Sequence, residues 1–176
     1  MAKLIFHLVL VVLFYTTKVS AAETCSPNPG LCWAVGDPHI RRFDGSTISF
    51  STTGNTLLVS DDATVEISTD IEATGDLNQV SQVYITFNYN GKETRIVLSR
   101  GRSDITVNGV SHTITPENPY NLNGVSIRAI STGLVIDGDE VNVKWLSGSK
   151  LYLTVGQKYH GTLSGQCGDY CTISGE

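Results

Sequence analysis

The sequence predicts an all-β protein built from short antiparallel strands, and three observations carry that reading. Apolar residues recur at every second position over several segments, Asn-Gly pairs punctuate those segments, and no convincing helical period occurs between residues 46 and 156. Alternation puts one set of side chains on one face of a strand, which is what a half-buried sheet needs. Many such strands with frequent turns fit a β-sandwich or a closed barrel.

The elements follow in order. Residues 1–21 read as a signal peptide outside the fold, with Lys3 as a positive start, an apolar run from Leu4 to Tyr15, and a small-residue cleavage site at Val19-Ser20-Ala21. The apolar run is too short for a bilayer-spanning helix, which needs about 20 residues. Residues 22–31 form an N-terminal extension. Ser46–Phe50, Thr56–Ser60 and Thr64–Asp70 read as three short strands. Val83, Ile85, Phe87 and Tyr89 alternate with Tyr84, Thr86 and Asn88, and Asn90-Gly91 then turns the chain toward Ile96 and Leu98. Asn-Gly suits a type I′ turn because both central residues need positive φ. The same pair at Asn108-Gly109 joins Asp104–Val107 to Val110–Thr115. Pro116 and Pro119 fall in a loop, as residues that cannot donate to a ladder should. Asp137-Gly138-Asp139-Glu140 reads as a hairpin turn. Val141, Val143 and Trp145 alternate outward from it, and Leu151, Leu153 and Val155 alternate back after Ser147-Gly148.

Composition bounds the function. Losing residues 1–21 removes Lys3 and Lys18 and no acid, so the formal charge moves from −5 to −7. Nucleic acid and anionic membrane reward clustered Lys and Arg, so neither is expected as a partner. All four cysteines, Cys25, Cys32, Cys167 and Cys171, follow the leader. In a secreted, extracellular protein an even count implies two disulfides, and three pairings are open to four cysteines. There is no Gly-x-Ser-x-Gly, no His-Glu-x-x-His and no phosphate loop, so a conventional enzyme is not expected. The sequence also carries no Asn-x-Ser/Thr glycosylation site.

Two motifs bracket the strands. Cys32-Trp33-Ala34-Val35-Gly36-Asp37-Pro38-His39 runs on into Phe43-Asp44-Gly45, and Tyr159-His160-Gly161 leads to Gly165-Gln166-Cys167-Gly168-Asp169. This pattern resembles the von Willebrand factor type D domain, in which a Cys-x3-Gly-Asp-Pro-His-x3-Phe-Asp-Gly opening is answered by a Tyr-x-Gly-x4-Cys-Gly-Asn closing. The resemblance covers residues 32–169, leaving 170–176 as a tail, and it favours two packed antiparallel sheets over a barrel. It implies a Cys32–Cys167 bridge, which leaves Cys25 with Cys171. Multimer-forming relatives carry Cys-Gly-Leu-Cys where this chain has Ser164-Gly165-Gln166-Cys167, so covalent multimers are not expected. A further family cysteine is replaced around Asn55.

The resemblance also implies two kinds of chemistry. Some members cleave themselves between the aspartate and proline of Gly-Asp-Pro-His. Here the Asp37 carboxyl would attack its own main-chain carbonyl carbon, closing an anhydride while the Pro38 nitrogen leaves. His39 would protonate that nitrogen, since imidazole titrates near pH 6.5. In calcium-binding members the aspartate of Phe-Asp-Gly and the polar residue after Cys-Gly help to hold the ion, which maps onto Asp44 and Asp169. Calcium takes six to eight oxygens, and downstream only Glu176 offers another carboxylate. The bland alternatives are a turn aspartate and a polar cap beside the bridge. Asp61, Asp62, Glu66, Asp70, Glu72 and Asp76 read as a solvated face, and His112 and His160 as core or surface residues. The function expected from sequence is a non-enzymatic module for extracellular binding, matrix or assembly, with protein or glycan partners. Self-processing at Asp37–Pro38 is the alternative.

Overall fold

The structure, a computed structural model, describes residues 28–36, 39–50, 52–100 and 104–170. The leader, Cys25, Asp37, Pro38, Cys171 and Glu176 lie outside the described residues. Fourteen strands occur among the described residues. The first five are β1 (Gly30–Val35), β2 (His39–Arg41), β3 (Thr47–Ser49), β4 (Gly54–Ser60) and β5 (Val65–Thr74). A central pair follows, β6 (Leu77–Tyr89) and β7 (Lys92–Ser99), then β8 (Asp104–Val107) and β9 (Val110–Thr113). The chain ends in β10 (Tyr120–Leu122), β11 (Val125–Ile130), β12 (Gly133–Gly138), β13 (Val141–Leu146) and β14 (Lys150–Val155), with one 3₁₀ turn at Gln157–Tyr159.

The turns behave as their residues require. Asn90 and Gly91 take φ values of 51° and 71°, and Asn108 and Gly109 take 48° and 82°. A third Asn-Gly pair, Asn123-Gly124, closes the β10–β11 hairpin with the same signs. Asp139 and Glu140, with φ of 41° and 64°, make the turn between β12 and β13 without a glycine at either position.

Strands β4 to β9 form a six-stranded antiparallel meander in chain order. The other eight form a second antiparallel sheet in the order β10-β11-β12-β13-β14-β1-β2-β3. Each sheet keeps two edges, so the fold is a sandwich and not a closed barrel. Val83, Ile85 and Phe87 of β6 join Val143 and Trp145 of β13 and Leu151, Leu153 and Val155 of β14 in one core between the sheets. Tyr84, Thr86 and Asn88 point the other way, as a two-residue period dictates. Strict alternation is interrupted in several places, two of which matter here. The β5–β6 register shifts between Asp70 and Ile71, and Leu134, Val135 and Ile136 of β12 are buried in succession.

One feature of the topology decides where function can sit. The chain leaves the eight-stranded sheet after β3, builds the meander, and returns, and β1 then pairs with β14, the last strand. Cys32 faces Leu153 across that pairing. The opening and closing motifs are thereby brought to the same corner.

Candidate functional site at the disulfide corner

Cys32 on β1 and Cys167 are joined by a disulfide with Cα atoms 5.8 Å apart and a sequence separation of 135. Of the three pairings open to four cysteines, this is the one the resemblance implied. The second bridge expected from the resemblance, Cys25–Cys171, would fall outside the described residues. The segment that carries Cys167 is held on two sides. On one, Ser164 and Ser60 exchange main-chain hydrogen bonds (2.8 and 3.1 Å), and the Gln166 and Cys167 N–H groups donate to the Leu57 and Leu58 carbonyls of β4 (3.0 and 2.9 Å). On the other, the Phe43 N–H donates to the Cys167 carbonyl (3.0 Å).

Phe43 belongs to the tight turn between β2 and β3, and Asp44 closes that turn. Its Oδ1 accepts from the Ser46 N–H (2.8 Å) and the Ser46 hydroxyl (2.6 Å), the local bonding for which aspartate is favoured in turns. Those bonds, chiefly the hydroxyl's, hold the Asp44 carboxyl below its ordinary range, with a smaller contribution from Arg42. The Arg42 Nη1 lies 4.0 Å from Asp44 Oδ2, and its Nε donates to the Gln166 carbonyl (3.1 Å). The guanidinium also lies over Gly168, where a Cβ would come within 2.6 Å of Nη2, so a side chain there would displace it. Asp169 accepts from the Gly161 N–H through Oδ1 (3.1 Å). Tyr170 is buried, with its ring 4.3 Å from that of His160 and 5.8 Å from that of Phe43, and its burial raises its phenol. The folded unit therefore runs past residues 32–169, from Gly30 to at least Tyr170.

The structure brings Asp44 and Asp169 to one corner but gives each a partner in the protein. Among the described residues no three His, Cys, Asp or Glu side chains group as a metal site. A guanidinium lies beside Asp44. His39 is exposed at the start of β2, its Nδ1 2.8 Å from Ser49 Oγ on β3. It pairs with Val35 across β1 and β2, so Gly36-Asp37-Pro38 is the connection between two paired positions.

The remaining singled-out residues are structural. Asp61 binds the Thr64 hydroxyl and accepts from the N–H groups of Ala63 (3.2 Å), Thr64 (2.8 Å) and Val65 (2.8 Å). Burial would raise its carboxyl, but those bonds outweigh it and hold the group low. Asp70 accepts from the Tyr84 hydroxyl (2.6 Å) and from Asn55 Nδ2 (3.0 Å), and that bond together with burial pushes Tyr84 up to about 12. These two are anchored, whereas Asp62, Glu66, Glu72 and Asp76 are exposed. His112 lies against Tyr120, ring centres 4.5 Å apart. Sequence reasoning missed Arg42, the residue before Phe43-Asp44-Gly45, whose role depends on a carbonyl 124 residues away.

With the corner described, comparison with known proteins is decisive. The von Willebrand factor type D domain profile matches residues 32–173. The chain belongs to the von Willebrand factor type D domain family. It is 30% identical to SCO-spondin of Gallus gallus over 154 residues, covering 85% of this chain and 3% of that protein. It is 29% identical to human zonadhesin over 156 residues, covering 83% of this chain and 5% of that protein. The chain thus spans a small fraction of the length of either relative. Type D domains are typically non-catalytic modules, and no described helix is long and apolar enough to cross a membrane.

Proposed function

We propose that this chain is a secreted, non-enzymatic binding module that acts outside the cell in a matrix, coat or body fluid, through protein or glycan partners. The observation that carries the reading is a type D domain whose two ends are tied by Cys32–Cys167, a bridge suited to an oxidising compartment. Zonadhesin's name states adhesion, which is the kind of work a rigid non-catalytic module supports. The test is expression of the whole chain in a secretory host, followed by intact and reduced mass measurement of the medium. The expected product lacks residues 1–21 and has no free thiol. Retention inside the cell with reduced cysteines would overturn the reading.

A second reading rests on His39. Ser49 Oγ lies 2.8 Å from its Nδ1, and we infer that this ring, next in sequence to Pro38, serves the leaving nitrogen. Scission of Asp37–Pro38 would leave the short piece attached through its cysteines, so it would show only after reduction. Incubation near pH 5.5, inside histidine's titration range, followed by reduction should then release two chains, more slowly in His39→Ala and not at all in Asp37→Ala. A single unbroken chain leaves the binding module alone.

A further inference from the structure

The end of the sandwich where the chain passes from β11 to β12 and from β13 to β14 holds a cavity of about 560 Å³ between the two sheets. Ile114, Ala129, Leu134 and Trp145 contribute apolar wall, and Gln79 and Arg100 contribute a polar rim from the other sheet. The two turns that frame it are tied together, since the Ser147 N–H donates to the Thr132 carbonyl (2.9 Å). The volume lies within the range of small-molecule sites, which are mostly apolar with a few placed polar groups.

Arg100 distinguishes this cavity from an ordinary gap at a sheet end. Its backbone N–H donates to the Ser81 carbonyl (2.8 Å), and its Nη1 donates to Gln79 Oε1 (2.7 Å) and Thr74 Oγ1 (3.2 Å). Both side-chain partners are neutral. Among the described residues Arg100 forms no ion pair, whereas Arg42, Arg95 and Arg128 each do. The guanidinium is therefore positioned, with no ionic partner among the described residues, at the mouth of an apolar slot. A second polar group is unsatisfied at the wall, because Ser149 is 2% exposed and its Oγ has no hydrogen-bond partner.

We propose that this cavity binds a small amphipathic anion, an alkyl or aryl carboxylate, with the apolar body against Trp145 and Leu134 and the carboxylate on Arg100. Burying the tail removes apolar surface from water, and the planar guanidinium suits a carboxylate better than a point charge would. A neutral alcohol would keep the first contribution and lose the second. A cationic amphiphile would meet repulsion at the rim. The cavity lining includes neither cysteine of the bridge nor Arg42, Asp44 or Asp169, and the site does not depend on the adhesive reading.

Trp145 and Trp33 are the two tryptophans in the sequence, so Trp33→Phe leaves the cavity wall as the sole indole. Sodium decanoate, titrated below its micellar concentration, should change Trp145 emission saturably and raise the melting temperature. Decanol should bind more weakly and decyltrimethylammonium should not bind. Arg100→Gln should weaken decanoate by roughly tenfold, as for a lost charged hydrogen bond, and leave decanol unchanged. Arg100→Lys should fall between them, and circular dichroism confirms that each variant is folded. Absence of a saturable response, equal response to the cationic amphiphile, or unchanged decanoate affinity in Arg100→Gln would each overturn the proposal.

Discussion

The β5–β6–β7 meander and the disulfide corner are stabilised in opposite ways. In the meander each strand pairs with its neighbour in sequence, Asn90-Gly91 fixes the register of β6 on β7, and the inward side chains of Val83–Phe87 follow from a two-residue period. At the corner the bonds that join its segments are long-range. The Phe43 N–H reaches the Cys167 carbonyl, Arg42 reaches Gln166, and Cys32 reaches Cys167. Local pairing costs little chain entropy to close, whereas contacts across 124 to 135 residues must offset a large loop. The meander should therefore survive changes that open the corner.

Removing the bridge is the strongest way to test that difference. Cys32→Ser with Cys167→Ser should cost about 2–5 kcal/mol, as for other small secreted domains, read from urea unfolding. Amide exchange should rise first in β1 to β3 and in the 160–170 segment, with β5 to β7 protected longest. Uniform loss of protection across both regions would show that the two are one cooperative unit.

A pair of glycines sharpens the comparison at smaller scale. Gly165 has φ of 102°, and a Cβ there would lie 2.5 Å from the Leu58 carbonyl oxygen. Gly91 has φ of 71° with open space where a Cβ would go. Gly91→Ala should cost only the left-handed penalty, about 1 kcal/mol. Gly165→Ala adds a backbone clash to a strained φ and should cost about 1–3 kcal/mol, more than Gly91→Ala. Equal midpoints for the two variants would show that the closing segment can move away from β4 freely.

The same contrast explains what was legible beforehand. The strands at Val83–Tyr89, Asp104–Val107, Val141–Trp145 and Leu151–Val155 were visible because period and turn chemistry are local properties. Strands β11 and β12 were passed over although Asn123-Gly124 is the same signal that revealed two other hairpins. Their flanks hid it, since β10 has three residues and β12 buries Leu134, Val135 and Ile136 in a row. The β5–β6 register shift likewise concealed the first half of β6. Of the corner, the motif residues and the Cys32–Cys167 bridge could be anticipated through family resemblance. The Arg42 contacts could not, because no local pattern specifies which cation lies beside a turn aspartate.

Acid should separate the two regions by degree. Asp61, in the loop before β5, and Asp44, at the corner, both have folded-state carboxyls held below their ordinary range. A lowered folded pKa means stability that is complete above the unfolded value, near 4, and is lost as pH falls through the folded value. Asp61 accepts three backbone N–H groups and a hydroxyl, while Asp44 depends on one residue, Ser46. Asp61→Asn should therefore flatten the acid limb of the stability profile more than Asp44→Asn does. Equal flattening would mean that exposure at Asp44 matters less than its bond count suggests.

The smallest effect concerns the charge beside Asp44. Family resemblance pairs Asp44 with Asp169 as calcium ligands, yet the Arg42 guanidinium lies 4.0 Å from Asp44 and donates to the Gln166 carbonyl. A cation built into the chain lowers the need for one from solution, and a divalent ion placed there would repel it. The wild-type melting temperature should then be insensitive to millimolar calcium. Arg42→Gln should lower stability modestly, by up to about 1 kcal/mol for a partly exposed pair. It should also make the melting temperature rise when calcium is added, since binding to the folded form alone stabilises it. Asp44→Ala placed on Arg42→Gln should remove that rise. A rise in the wild type that Asp44→Ala abolishes would restore the metal site, and would mean that Arg42 swings away to admit the ion. The disulfide corner would then be a ligand-dependent lock, while the meander stays indifferent to calcium.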